Sequence, residues 1–283
     1  MDWVFWLPVI VGGAVAGAST SAIGVYIVGM RIPFLGVCVA HAALAGAVFA
    51  ALFGATGSGL LGPALIAAAG TALALGLADP QRTRVDNNVM IGVLFSLSMG
   101  VAFLGIGLMS VWGRPDNEVR NLLWGSLIFC RWTDVMLMAG VGAVTFLFIG
   151  VLAKEMRAIL FSRLHAAAAG IHVTAVWAAF LVLTSAVMTV NFQTVGGLMI
   201  YSLMTNPAVA AFLLVRGHGR ALLLASALGA LSGVGGFLIS AAADLPTGAV
   251  LVIFSSPLVA VAALVRLARA RYAALSRVRR PSN

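Results

Sequence analysis

Nine stretches of the chain, 4–30, 35–53, 60–78, 89–110, 135–153, 173–190, 195–215, 221–243 and 249–265, contain no Asp, Glu, Lys or Arg. A helix needs about 20 apolar residues to cross the hydrocarbon of a bilayer, and each stretch comes close to that length. Inside lipid the backbone must satisfy its own hydrogen bonds, which continuous runs of this kind achieve as helices. Only 9% of the 283 residues are charged. A water-facing surface needs roughly a quarter, so a soluble globular domain is excluded. The fold class is all-α, a polytopic membrane protein of eight to nine transmembrane helices. Eight enters because 35–53 is rich in Gly and Ala, contains His41, and is compatible with a segment buried or broken inside the protein. The segment 119–128 is too short to span and reads as a surface or re-entrant helix.

Charge orders the connections. Arg31, Arg82, Arg84, Lys154, Arg157, Arg163, Arg216 and Arg220 fall on alternate turns, and six of the 17 basic residues lie between Arg266 and Arg280. Basic residues beside spans resist translocation, so these turns and the C-terminal tail are expected in the cytoplasm. The turns 54–59, 191–194 and 244–248 have no basic residue, and the remaining outer segment sets Arg114 and Arg120 against Asp116 and Glu118. Nine spans with an outside N-terminus satisfy this pattern. The net charge of +9 then reads as attraction to lipid headgroups, with no nucleic acid partner. The chain divides into a transmembrane domain, 1–265, and a basic cytoplasmic tail, 266–283. The first apolar run has no basic n-region and no A-x-A-like cleavage site, so it is expected to remain as a span. Two cysteines, Cys38 and Cys130, are too few for a disulfide framework and are read as thiols. A GxxxxGK[ST] phosphate loop is absent, which assigns any nucleotide hydrolysis to another chain.

Ionisable groups inside a membrane are costly and point to function. His41 is the histidine deepest in a span, in Gly36-Val37-Cys38-Val39-Ala40-His41-Ala42-Ala43-Leu44-Ala45-Gly46. Cys38, three residues earlier, shares its helix face, and thiol plus imidazole make a borderline-soft ligand pair. The residues alone leave two readings open: contact with a metal ion, or a histidine bonded to a neighbouring helix beside a small packed cysteine.

At this segment the sequence resembles the membrane permeases of ABC-type zinc and manganese importers, whose pattern here is G-D-x-x-x-H-A-x-x-P-G; Gly36, His41, Ala42 and Gly46 match. Further matches follow in order. They are Ile91-Gly92-Val93-Leu94-Phe95-Ser96, Leu123-Trp124-Gly125-Ser126-Leu127 with Asp134, Val195-Gly196-Gly197-Leu198 leading to Pro207-Ala208, and Asp244-Leu245-Pro246-Thr247-Gly248. Val37 replaces the family's Asp, Ala40 and Ala45 replace its Ser and Pro, and Asn88 stands where an acidic residue is usual.

The resemblance implies an ABC importer permease architecture in a bacterial cytoplasmic membrane. It implies a second copy of the chain, two ATP-binding-cassette ATPase subunits carrying the ATP, and an extracytoplasmic metal-binding protein. The permease itself is then no enzyme and holds no covalent cofactor; its cargo is a divalent metal ion. Carboxylates suit manganese whereas imidazole and thiolate suit zinc, so Val37 beside Cys38 and His41 favours zinc. The family pattern F-D-x-x-x-A-x-x-x-G is met by Phe161, Ala166 and Gly170, with Ser162 in place of Asp. It marks 154–171 as a coupling helix docking on the ATPase, with Arg163 on it and Gly170 as its C-cap; the residues alone also fit an amphipathic interfacial helix.

Pathway walls are expected from the His41 helix and from 195–207, where Gly196, Gly197 and Pro207 would let backbone carbonyls line a cavity and Thr205 and Asn206 supply side-chain oxygens. Asp244 is expected at the outer mouth, or as a cap for the next helix. His165, His172 and His218 lie near the cytoplasmic ends of spans and read as interfacial or partner-facing. Two alternatives stand beside metal transport. One is a permease for a metal chelate or other small solute. The other is an intramembrane enzyme, for which only His41 with Cys38 could be proposed and no oxyanion donors are evident.

Overall fold

The computed structural model describes residues 3–77, 86–115, 119, 127 and 130–278. Arg82, Arg84, Asp116, Glu118, Arg120 and the 123–126 motif lie outside the described residues, as does most of 119–128. The described residues form eleven α-helices, a 3-10 turn at Gly57–Leu60 and no strand; the α-helices are α1 Trp3–Gly29, α2 Phe34–Leu52, α3 Leu61–Leu77, α4 Asn87–Val111, α5 Trp132–Val151, α6 Ala153–Phe161, α7 Arg163–Ala168, α8 Val173–Val195, α9 Gly197–Leu214, α10 His218–Ala243 and α11 Thr247–Val278. Eight helical segments among the described residues, the third of them α3 together with the turn at Gly57–Leu60, are long and apolar enough to cross a membrane. The run 35–53 forms the continuous 19-residue α2, and 195–215 forms the end of α8 and the 18-residue apolar α9. Gly196, with a φ of 95°, separates α8 from α9.

Local signals set the helix starts. Asp86 caps α4 by accepting from the Asn88 N–H at 2.8 Å, and the Asp134 carboxylate reaches back to the Arg131 N–H at 2.9 Å before α5. The segment 191–194, expected as an outer turn, is instead the last turn of α8, so Asn191 is buried.

Small residues set the packing of α1. A Cβ on Gly17 would strike the backbone of Gly229 in α10, and one on Gly24 would strike the Met204 carbonyl in α9. In lipid, association rests on such close backbone approach rather than on hydrophobic burial. Helix α2 lies at the centre of the bundle, sharing its faces with α3, α4, α8 and α9. Helices α4 and α5 turn apolar side chains outward, among them Val93, Leu97, Met136 and Leu147, as lipid-facing helices do.

One end of the bundle gathers the elements between which the basic turns lie. Arg163 reaches the end of α3, Leu160 packs where a Cβ on Gly29 would project, and Arg269 donates to the Leu214 carbonyl at 3.0 Å. The span ending at 265 and the tail after it are one helix, because α11 continues unbroken for 32 residues. At 1.5 Å per residue it is about 48 Å long, against a hydrocarbon core of about 30 Å. Arg266, Arg269 and Arg271 therefore ride on a rigid extension.

Candidate functional site: a buried histidine in the central helix

His41 sits in mid-α2, 2% exposed. Its Nδ1 lies 2.9 Å from the Val37 carbonyl one turn earlier. A carbonyl only accepts, so Nδ1 carries the proton and donates. In the neutral ring the lone pair then belongs to Nε2, the usual arrangement of a metal-binding imidazole. That Nε2 is buried and has no hydrogen-bond partner. The Phe95 ring of α4 stands edge-on to the imidazole, with centroids 4.9 Å apart. Phe95 belongs to the Ile91–Ser96 motif, so two of the recognised motifs meet here.

Cys38 is fully buried and a free thiol on the same helix. No hydrogen bond joins it to His41, and among the described residues no group of three or more His, Cys, Asp or Glu could hold a metal. The arrangement offers one lone pair and one thiol, without a closed cage.

In the 195–207 region Pro207 has no N–H for the Leu203 carbonyl, and the Ser21 hydroxyl of α1 donates to that carbonyl at 2.6 Å. The Thr205 hydroxyl turns back on the Tyr201 carbonyl at 2.7 Å. The Asn206 amide donates to Ser255 Oγ at 3.0 Å and Ser256 Oγ at 3.3 Å, tying α9 to α11. Asn206 thus holds two helices together, while Thr205 is satisfied within α9. Gly197 follows the Gly196 turn as the first residue of α9.

Sequence reading missed a buried polar cluster between α1 and α8. Asn191 Nδ2 donates to Thr20 Oγ1 at 2.8 Å and Ser19 Oγ at 3.1 Å. An Asn next to an 18-residue uncharged run was the available signal, obscured by placing it in a turn.

At the basic end, the expected single helix over 154–171 is two. Ser162 is extended (φ −166°, ψ 119°) and accepts from the His165 N–H at 3.4 Å, so it ends α6 and caps α7, a role open to an Asp at the same position. Gly170, with φ 83°, closes α7: its N–H bonds the Ala167 carbonyl and the Ile171 N–H bonds that of Ala166, a Schellman motif. Phe161 and Leu164 are 85% and 79% exposed, whereas Ala166 is buried against the chain's own core. The Arg163 guanidinium lies over the Trp177 ring, 4.5 Å from its centroid, while the residue as a whole stays exposed. Burial there lowers its pKa from the usual arginine value. His165 rests beside Ser162, His172 precedes α8, and His218 stands edge-on to Tyr26 at 4.5 Å.

At the opposite end Asp244 is exposed and left-handed (φ 54°) at the C-terminus of α10. It is no cap for α11. The Ser240 hydroxyl holds that turn, at 2.6 Å from the Leu245 carbonyl and 2.9 Å from Thr247 Oγ1. Cys130, nearby in the outer cluster with Phe237 and Leu251, is a protonated thiol, pushed up to about 11 by burial and by the Asp134 carboxylate.

Comparison with known proteins identifies the architecture. Residues 2–266 match the ABC 3 transport family. The chain is 30% identical over 246 residues, 87% of this chain and 82% of the relative, to the manganese transport system membrane protein MntC of Halalkalibacterium halodurans. It is 29% identical over 171 residues, 60% of this chain and 56% of the relative, to the chelated iron transport system membrane protein YfeC of Yersinia pestis. PsaBC from Streptococcus pneumoniae, solved in complex with Fab, shares the fold with a TM-score of 0.79, 22% identity, and coverage of 91% of this chain and 90% of that one. With its multi-span helical bundle and this match along nearly its whole length, the chain belongs to the ABC 3 transport family and is a membrane permease of the ABC type.

Proposed function

We propose that the chain is the permease of an ATP-driven importer for a divalent transition-metal ion, moving it by alternating access at the axis of a homodimer in a bacterial cytoplasmic membrane. In this reading two ATPase subunits bind at the α6–α7 end and an extracytoplasmic metal-binding protein delivers the ion at the Asp244 end. The observation that carries it is His41 Nε2, a buried lone pair without a partner in the middle of α2, one of the two most enclosed spans. The names of the similar proteins, a manganese permease and a chelated-iron permease, support a metal as cargo.

For the ion itself, zinc is favoured over manganese. The hard carboxylate of the family pattern is Val37 here, and what remains is imidazole with an adjacent thiol. Asp244 would raise the local cation concentration at the outer mouth. A metal chelate is the second reading, supported by the absence of a closed ligand cage among the described residues. Uptake by the reconstituted complex, compared for zinc, manganese, iron and copper as free ions and as chelates, decides between them. Zinc uptake without a chelator supports the first reading; uptake of chelates alone supports the second.

A further inference from the structure

Three groups from three helices converge where α3 ends. The Gly76 carbonyl, in the last turn of α3, accepts from Trp177 Nε1 of α8 at 3.0 Å and from Arg163 Nη1 of α7 at 3.4 Å. The Arg163 guanidinium also lies 4.5 Å above the Trp177 ring, a cation–π contact. Carbonyls in a helix's last turn lack intrahelical partners and carry the negative end of its dipole, so a fixed cation and an indole N–H are suited to hold them. Gly76 permits the approach, because a Cβ there would run into Leu181 and come 3.0 Å from Trp177 Nε1.

The covalent connections around α7 are poorly suited to carry force. On one side is the extended Ser162, on the other Gly170 in the left-handed region, both of them turns between helices. Motion of α7 would be absorbed there unless side chains transmit it. On the far side of the convergence the contacts are continuous. Trp177 is buried and stacks on Phe180 at 5.3 Å, and Phe180 meets Tyr26 of α1 at 5.3 Å. Helix α3 packs closely along α2, where a Cβ on Gly46 would approach the Pro63 carbonyl to 2.5 Å. Gly46 lies on the His41 helix.

We propose that Arg163, Trp177 and the Gly76 carbonyl form a clasp that transmits displacement of α7 to α3 and, through α3, to the His41 helix. Arg163 and Trp177 are positioning residues in this account; neither touches cargo or nucleotide. The inference rests on the reading that α6 and α7 dock on the ATPase subunits. A purely structural cap on α3 would affect folding and assembly but leave the ratio of ions moved to ATP hydrolysed unchanged.

That ratio is the test. The complete transporter, with binding protein and ATPase subunits, is reconstituted in liposomes, and zinc and manganese uptake are recorded together with phosphate release. Trp177→Phe keeps the ring and removes the N–H; Arg163→Gln removes the charge; Arg163→Lys keeps it without the planar fork. The expected result is that Arg163→Gln lowers uptake per ATP by roughly tenfold, a coupling effect of ordinary size. Trp177→Phe lowers it less, Arg163→Lys recovers part, and ATPase subunits copurify at parental levels. Uptake per ATP within about twofold of parental in both Arg163→Gln and Trp177→Phe overturns the clasp. An equal fall of uptake and hydrolysis overturns it as well. If Arg163→Gln does not assemble, Trp177→Phe decides alone. A separate Phe161→Asp variant tests the docking reading: retention of the ATPase by that variant refutes docking there, independently of the ratio measured for the clasp.

Discussion

His41 combines burial, a fixed tautomer and an unpartnered acceptor, three properties that a merely packed histidine seldom shares. A polar atom buried without a partner is costly, and the cost is offset when a cation arrives. His41→Ala is therefore expected to lower metal uptake by about tenfold or more while the permease still assembles with its ATPase; parental uptake of every metal tried would make the histidine structural. Protonated imidazole binds no metal, so uptake through His41 falls as the ring protonates on acidification, and His41→Ala should remove that part of the pH dependence. Val37→Asp restores a hard oxygen one turn before His41 and is expected to raise manganese uptake relative to zinc. An unchanged ratio would separate ion choice from this position. Ser21 illustrates a different role. It fills the hydrogen bond that Pro207 leaves open at Leu203, and Ser21→Ala is expected to cost about 0.6–2 kcal/mol of stability, read as a lower melting temperature in detergent with no change in which metal is carried.

Among the elements, the α6–α7 pair shows how far sequence patterns reach. The position of the segment, its helical character and the Gly170 stop were legible in it. The break at Ser162 was not, because a capping side chain competes with the helix locally and Ser is an ordinary helix-interior residue by propensity. Which face looks outward was also hidden. Ala166 matches the family pattern but is packed inside, whereas Phe161 and Leu164 are the exposed apolar side chains. A charge at either, as in Phe161→Asp or Leu164→Asp, is expected to release the ATPase subunits in copurification. Ala166→Trp should instead disturb the permease's own packing, since a buried alanine cannot accept an indole without displacing its neighbours; a stable permease that binds ATPase normally would contradict this. The segment 195–207 shows the same limit at the Leu203 carbonyl. Gly and Pro in a membrane helix announce an irregular backbone, but only the neighbouring helix decides whether the freed carbonyl meets cargo or, as here, the Ser21 hydroxyl.

At the scale of the whole molecule, periodic absence of charge located the nine long apolar helices found among the described residues, since lipid imposes length and polarity on every span alike. What this signal lacked was the exact helix ends: it placed Asn191 in a turn, because an uncharged run does not reveal where a glycine ends a helix. The arrangement of charge carries further. Arg163, Arg269 and the connections bearing Lys154, Arg157, Arg216 and Arg220 are brought to one end, while the 54–59 turn and Asp244 lie at the other. Basic residues flanking spans favour the cytoplasmic side, so the first end is expected to face the cytoplasm with the α11 extension projecting from it. Single cysteines placed at Thr56 and Ser276, in a background lacking Cys130, test this in intact cells with a membrane-impermeant maleimide. Thr56 is exposed in the turn between α2 and α3. Its cysteine is expected to react from outside, and the one at Ser276 only after the membrane is opened. Labelling of the Ser276 cysteine in sealed cells would invert the orientation, and with it the side on which an ATPase could reach Phe161 and Leu164.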